Sequence, residues 1–187
     1  MLSKYNYSAT FENGKTLKIE GVDTITNISG GNWQTLMAGG STKISQKGTS
    51  KVTFEDGTQK TWSHSREKVK TYANGVITVT VTGTEMNGAD DNIETWGVNR
   101  YNETFYAKTN SALVWSYNAS SSANTCAHWR DAIAGSYYYK GTSSNLTVTY
   151  GVTSAGTANT NPFNTCPFGY KLDWIANGKA QESIIAY

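Results

Sequence analysis

Asn-Gly and Asp-Gly pairs punctuate this chain, among them Asn13-Gly14, Asp56-Gly57, Asn74-Gly75 and Asn177-Gly178. Each sits between runs of strand-forming residues. Such pairs supply the positive φ that a tight hairpin turn requires. The clearest case places 69–72 and 76–82 on either side of Asn74-Gly75. In the second arm Ile77, Val79 and Val81 alternate with Thr78, Thr80 and Thr82, the period of a half-buried strand. A chain so built is expected to fold as consecutive antiparallel hairpins.

Further arms are expected at 51–55 and 58–62 around Asp56-Gly57, at 146–150, and at 170–175 and 181–187 around Asn177-Gly178. No segment carries a convincing helical stripe. The best helical candidate, 126–134, is short and runs into Gly135. Loops are expected at 83–94, 118–125 and 151–167. Many short strands with close-spaced turns indicate an all-β fold, an antiparallel β-sandwich or flattened barrel. The 187 residues fit a single domain, 1–187. Within it 1–47 reads as less regular N-terminal strands and 48–187 as the hairpin-rich core.

Composition narrows function by exclusion. Charged residues are 16% and the net charge is +2, which argues against a phosphate-tracking nucleic-acid binder. No apolar run approaches the roughly 20 residues of a spanning helix. The first residues have no apolar stretch of the signal-peptide kind. The texture is nevertheless that of an exported protein, rich in Thr, Asn, Gly and Tyr. A mature extracellular or cell-surface domain whose leader has been removed is therefore expected. Cys126 and Cys166 are the two cysteines. They are either two buried thiols or one disulfide. A bridge closing a loop of about 40 residues would add roughly 3–4 kcal/mol on the chain-entropy argument.

Several chemistries can be weighed on the residues. Asp90, Asp91 and Glu94 cluster with amide oxygens, and calcium takes such ligands, although the spacing is not that of an EF-hand. A solvated hairpin tip explains the cluster equally well. His64 and His128, the only histidines, read as surface or packing residues rather than zinc ligands. Saccharides dock on exposed aromatic rings, and the chain holds 6 Trp and 12 Tyr. In Tyr137-Tyr138-Tyr139, strand geometry turns Tyr138 away from its two neighbours. Most tryptophans, four of the six, are expected to fill the core. A glycoside hydrolase needs a carboxyl pair across a cleft. Glu85, Glu94, Glu103, Asp131 and Asp173 are candidates. Size and composition are similar to those of small jelly-roll xylanases, but neither glutamate motif of those enzymes is present. No Gly-x-Ser-x-Gly elbow or phosphate-cradling loop occurs. A Cys126–His128 dyad is geometrically conceivable on a strand unless Cys126 is bridged.

One resemblance covers about two-thirds of the chain, 48–187. It runs through the 51–58 stretch Lys-Val-Thr-Phe-Glu-Asp-Gly-Thr, then Thr61-Trp62, Arg66, and 71–76 with Asn74-Gly75. Trp96-Gly97, Asn99-Arg100, Leu113-Val114, Cys126, 147–151, Cys166-Pro167 and the closing Asn177-Gly178 follow. This order resembles the C-terminal β-rich region of uncharacterised exported lipoproteins of Bacteroidota. The resemblance implies export and surface attachment, and supports a Cys126–Cys166 bridge. It brings no catalytic residues. The chain departs from it in lacking a lipobox cysteine.

Together these readings point to a non-catalytic extracellular module that binds a glycan or surface ligand. The expected ligand residues are Trp96, Trp129, Tyr138, Asn99 and Arg100. The alternatives are a structural or adhesive subunit self-assembling through its edge strands, and a small jelly-roll glycoside hydrolase. No cofactor is expected beyond a weak calcium site at Asp90, Asp91 and Glu94.

Overall fold

A computed structural model of the chain describes residues 1–10, 14–118, 131–162 and 165–187. It is an all-β molecule whose described strands are antiparallel and form one 12-stranded sheet. The strands are β1 Leu2–Thr10, β2 Thr16–Asn27, β3 Ser41–Thr53, β4 Gln59–Ala73, β5 Val76–Gly83, β6 Glu85–Asn87 and β7 Asp90–Val98. They continue with β8 Thr104–Asn118, β9 Ala134–Gly141, β10 Asn145–Val152, β11 Gly169–Ala176 and β12 Lys179–Ala186.

The turn chemistry read from the sequence is what joins them. Asn74 and Gly75 adopt φ of 51° and 77°, and Asn177 and Gly178 adopt 51° and 72°. Both pairs are two-residue hairpin turns with positive φ at each central position, the geometry that matches strand twist. Between β3 and β4 the chain turns through Gly57, with Gly57 N–H donating to the Phe54 carbonyl at 2.9 Å.

Three expectations need correction. First, the strands expected to be less regular in 1–47 pair in full where described: β1 pairs with β2 from Leu2 opposite Thr24 to Thr10 opposite Thr16. β3 then crosses positions 47 and 48 without a break. Second, a short helix, α1 Trp33–Met37, interrupts the strands, capped by Asn32 and Thr35 in a reciprocal capping box. Third, 83–94 is not a loop. It holds the β6–β7 hairpin, with Asn87 opposite Asp90 across Gly88.

β5 and β7 lie end to end in one slot between the long strands β4 and β8. β5 pairs with β4 from Arg66 to Ala73, whereas β7 pairs with it at Trp62 to His64. At their junction the Gly83 N–H donates to Thr109 Oγ1 at 3.1 Å. A single sheet encloses no face completely. Leu36, Val52, Val81, Ile93, Phe105 and Val152 are buried, but every tryptophan among the described residues is half-buried or exposed. The expectation that most of them fill a core fails for that reason.

β1 and β12 end the main strand order with one neighbour each, and the short β6 pairs with β7 alone. No described helix is long and apolar enough to cross a membrane. Cys126, His128 and Trp129 lie outside the described residues. Cys166 is engaged rather than a free thiol.

Candidate functional site

β4 builds the floor of the site. Its even positions lay Trp62, His64, Arg66, Lys68 and Lys70 along one face, because alternate strand residues share a face. Two glycines on neighbouring strands clear space above that floor. Gly48 lies between Asp23 and His64, opposite both. A Cβ there would sit 2.2 Å from Asp23 Oδ1, so only glycine lets the two side chains meet across β3. Gly21 does the same for Tyr5, whose hydroxyl crosses β2 to reach Ser50 Oγ at 2.6 Å.

The polar side chains on this face form one connected path. His64 Nε2 lies 2.9 Å from Asp23 Oδ1, in a pair only 8% and 3% exposed. Neither atom makes an aligned hydrogen bond. Gln46 donates to the other Asp23 oxygen, and its own oxygen accepts from Arg66 Nε at 3.3 Å. Arg66 Nη1 donates to Glu94 Oε1 at 2.6 Å, and the Tyr137 hydroxyl donates to Glu94 Oε2 at 2.7 Å. Thr95 Oγ1 donates to that same oxygen.

A β-bulge aims Glu94 into this path. Ile93 pairs with Lys108 and Thr95 with Ala107, leaving Glu94 as the extra residue of β7. Bulges re-aim side chains in this way, often beside functional sites. Burial, and next the Glu94 carboxylate, push the Tyr137 hydroxyl far above the usual tyrosine range. Tyr137 thus stays protonated at neutral pH and donates to Glu94.

Around the path the sheet curls into a cavity of about 760 Å³. That volume falls within the roughly 300–1,000 Å³ of small-molecule sites. Its walls are aromatic: Tyr5, Tyr7, Trp62, Phe105, Tyr137 and Tyr139. Trp62 meets Phe105 edge-on at 5.3 Å, and Phe105 stacks on Tyr139 at 5.3 Å. Trp62 Nε1 is fixed by the Val98 carbonyl at 2.8 Å. Tyr7, on the edge strand, is 54% exposed and offers an open ring. A second hollow of about 360 Å³ continues along the same face, sharing Arg66, Glu94 and Tyr137.

The structure divides the expected ligand residues between two faces. Asn99 and Arg100 stand at the rim of the cavity. Asn99 Nδ2 donates to Glu103 Oε2 at 3.1 Å, and Arg100 Nη2 to Glu55 Oε1 at 2.7 Å. Trp96 lies on the opposite face, in a row with Tyr106 and Lys140, and Tyr138 faces the same way opposite Lys108. The alternation of the tyrosine triplet is as read, but Tyr137 and Tyr139 enter the cavity while Tyr138 does not.

Asp90, Asp91 and Glu94 do not converge. Asp90 accepts from Lys108 Nζ at 2.8 Å and from the Tyr106 hydroxyl, and Glu94 belongs to the Arg66 path. Among the described residues no group of three or more His, Cys, Asp or Glu is placed to hold a metal ion. Of the five carboxylates considered for glycoside hydrolysis, Glu94 alone lines the large cavity.

Asp23, Gln46 and Arg66 were not singled out as ligand residues in the sequence, His64 was read as a surface or packing residue, and of the tyrosine triplet Tyr138 was preferred to Tyr137 and Tyr139. A readable sign for part of the set was there: the aromatic and basic alternation from Trp62 to Lys70. No family model, no curated protein and no solved structure matches this chain.

Proposed function

We propose that the curled face binds a saccharide and that the protein is a non-catalytic, exported binding module. One observation carries this reading: an aromatic-walled cavity of about 760 Å³ surrounds side chains already fixed in a single hydrogen-bonded path. Rings such as Tyr7 and Tyr139 suit the apolar faces of sugar rings, while Asn99, Arg66 and Tyr5 suit their hydroxyls. Both Glu94 oxygens are already taken up by Arg66, Tyr137 and Thr95, which favours binding over hydrolysis. The same reading places the chain outside the cell, with a Cys126–Cys166 bridge stable in an oxidising compartment.

The test is a glycan array followed by titration calorimetry of wild type, Tyr7→Ala and Arg66→Ala. Saturable binding is expected, weakened about tenfold by loss of the exposed ring, the worth of one aromatic contact. An array with no saturable binder sinks the proposal.

A second reading, assembly through sheet edges, is favoured by β12. It pairs with β11 alone, and Ile185 on it is 37% exposed. Free edges of this kind accept further strands. A molecular mass that stays multimeric on dilution would support it.

A further inference from the structure

The second hollow departs from the first in its charge. Lys68 stands in it among Trp115, Tyr117, Tyr137 and Tyr150. Its cross-strand neighbours are Ile44 on β3 and Val81 on β5, both apolar. The flanking residues of the same face are Arg66 and Lys70, both cationic. Several lysines of the sheet have carboxylate partners, such as Lys43 with Glu67, Lys47 with Glu85, Lys108 with Asp90, and Lys171 with Asp173 and Glu182. Among the described residues Lys68 makes no ion pair. The acidic groups that act on it, Glu94 and Asp23, are already bound to Arg66 and to Gln46. Burial first, and then Arg66 and Lys70, depress the Lys68 ammonium below the ordinary lysine range. A cation held among aromatic walls and like charges is stabilised when an anion enters.

We infer that the Lys68 hollow is an anion subsite, and that the ligand of this face is an acidic saccharide bearing a carboxylate or sulfate. The inference rests on the saccharide reading of the cavity beside it. The two hollows meet at Arg66, Glu94 and Tyr137. A chain of sugar rings can therefore run from one into the other, with its acidic group above Lys68.

The experiment is calorimetry on the full chain with two matched probe pairs. One pair is an oligogalacturonate and its methyl ester, which share a ring skeleton and differ in charge. The other is a sulfated oligosaccharide and its unsulfated parent. In wild type the acidic member of one pair is expected to bind about tenfold tighter than its neutral twin, the worth of one charge-assisted hydrogen bond. The preferred pair identifies carboxylate or sulfate as the recognised group. Added salt is expected to weaken only the acidic member. Lys68→Met and Lys68→Gln are each expected to abolish the preference, so that acidic and neutral members bind alike. Equal binding of acidic and neutral members to wild type overturns the anion subsite and leaves the saccharide reading intact. An unchanged preference in both variants does the same. Absence of binding by all four probes overturns both.

Discussion

At position 48 the chain carries glycine between two side chains on strands that are not neighbours. Asp23 belongs to β2 and His64 to β4, and β3 runs between them. A methyl group at Gly48 would meet Asp23 Oδ1 at 2.2 Å and the Val22 carbonyl at 2.6 Å. The carboxylate could swing away, but the backbone oxygen has no such freedom. Gly48→Ala is therefore expected to cost about 1–3 kcal/mol, the usual penalty of overpacking. For a chain of this size that lowers Tm by roughly 3–10 °C. Calorimetric unfolding checks it, and an unchanged Tm would show that β3 absorbs the methyl freely. The requirement for glycine here was not legible in the sequence. It exists only once β2 and β4 are known to flank β3 in this register. The alternation of Tyr137, Tyr138 and Tyr139 was legible, because it needs strand geometry and nothing else.

Elements divide in the same way between local and distant causes. The hairpins could be read because Asn-Gly chemistry acts within two residues. The helix α1 was missed because five residues are too few for a hydrophobic period to show. The β6–β7 hairpin was hidden beneath its carboxylates, and the Glu94 bulge depends on pairing with β8. The last hairpin gives the sharpest test of turn chemistry at this scale. Asn177 and Gly178 both sit at positive φ, and β12 has no second neighbour to hold it. Replacing both by alanine puts two ordinary residues in the left-handed region, at about 1–2 kcal/mol each. Because an edge strand opens locally, amide exchange is expected to speed up in β12 and β11 and stay unchanged in β2 to β4. Uniform acceleration across the sheet would mean instead that the edge unfolds together with the whole molecule.

Across the whole molecule, a single curled sheet leaves its aromatic residues half-covered, which explains both the open cavity and why no tryptophan among the described residues is fully buried. It also ties stability to tyrosine. Burial is the first cause holding the hydroxyls of Tyr5, Tyr106, Tyr117, Tyr137, Tyr150 and Tyr187 above their ordinary range. Tyr187 is pushed up to about 12; its hydroxyl donates to the Ala132 carbonyl and accepts from Gly151 N–H at 3.1 Å. An unfolded tyrosine loses its proton near pH 10. Between that pH and the folded value, the native chain holds protons that the unfolded chain has released. Stability is therefore complete below about pH 10 and falls as pH rises through the folded values. Tm is expected to stay level up to about pH 9.5 and then drop steeply, with tyrosinate absorbance rising together with unfolding. Tyr187→Phe should lower Tm at neutral pH, since two hydrogen bonds are lost, and make the alkaline slope shallower. If instead all tyrosines ionised near pH 10 with the fold intact, burial would not be what holds these hydroxyls, and the tie between stability and tyrosine would fail.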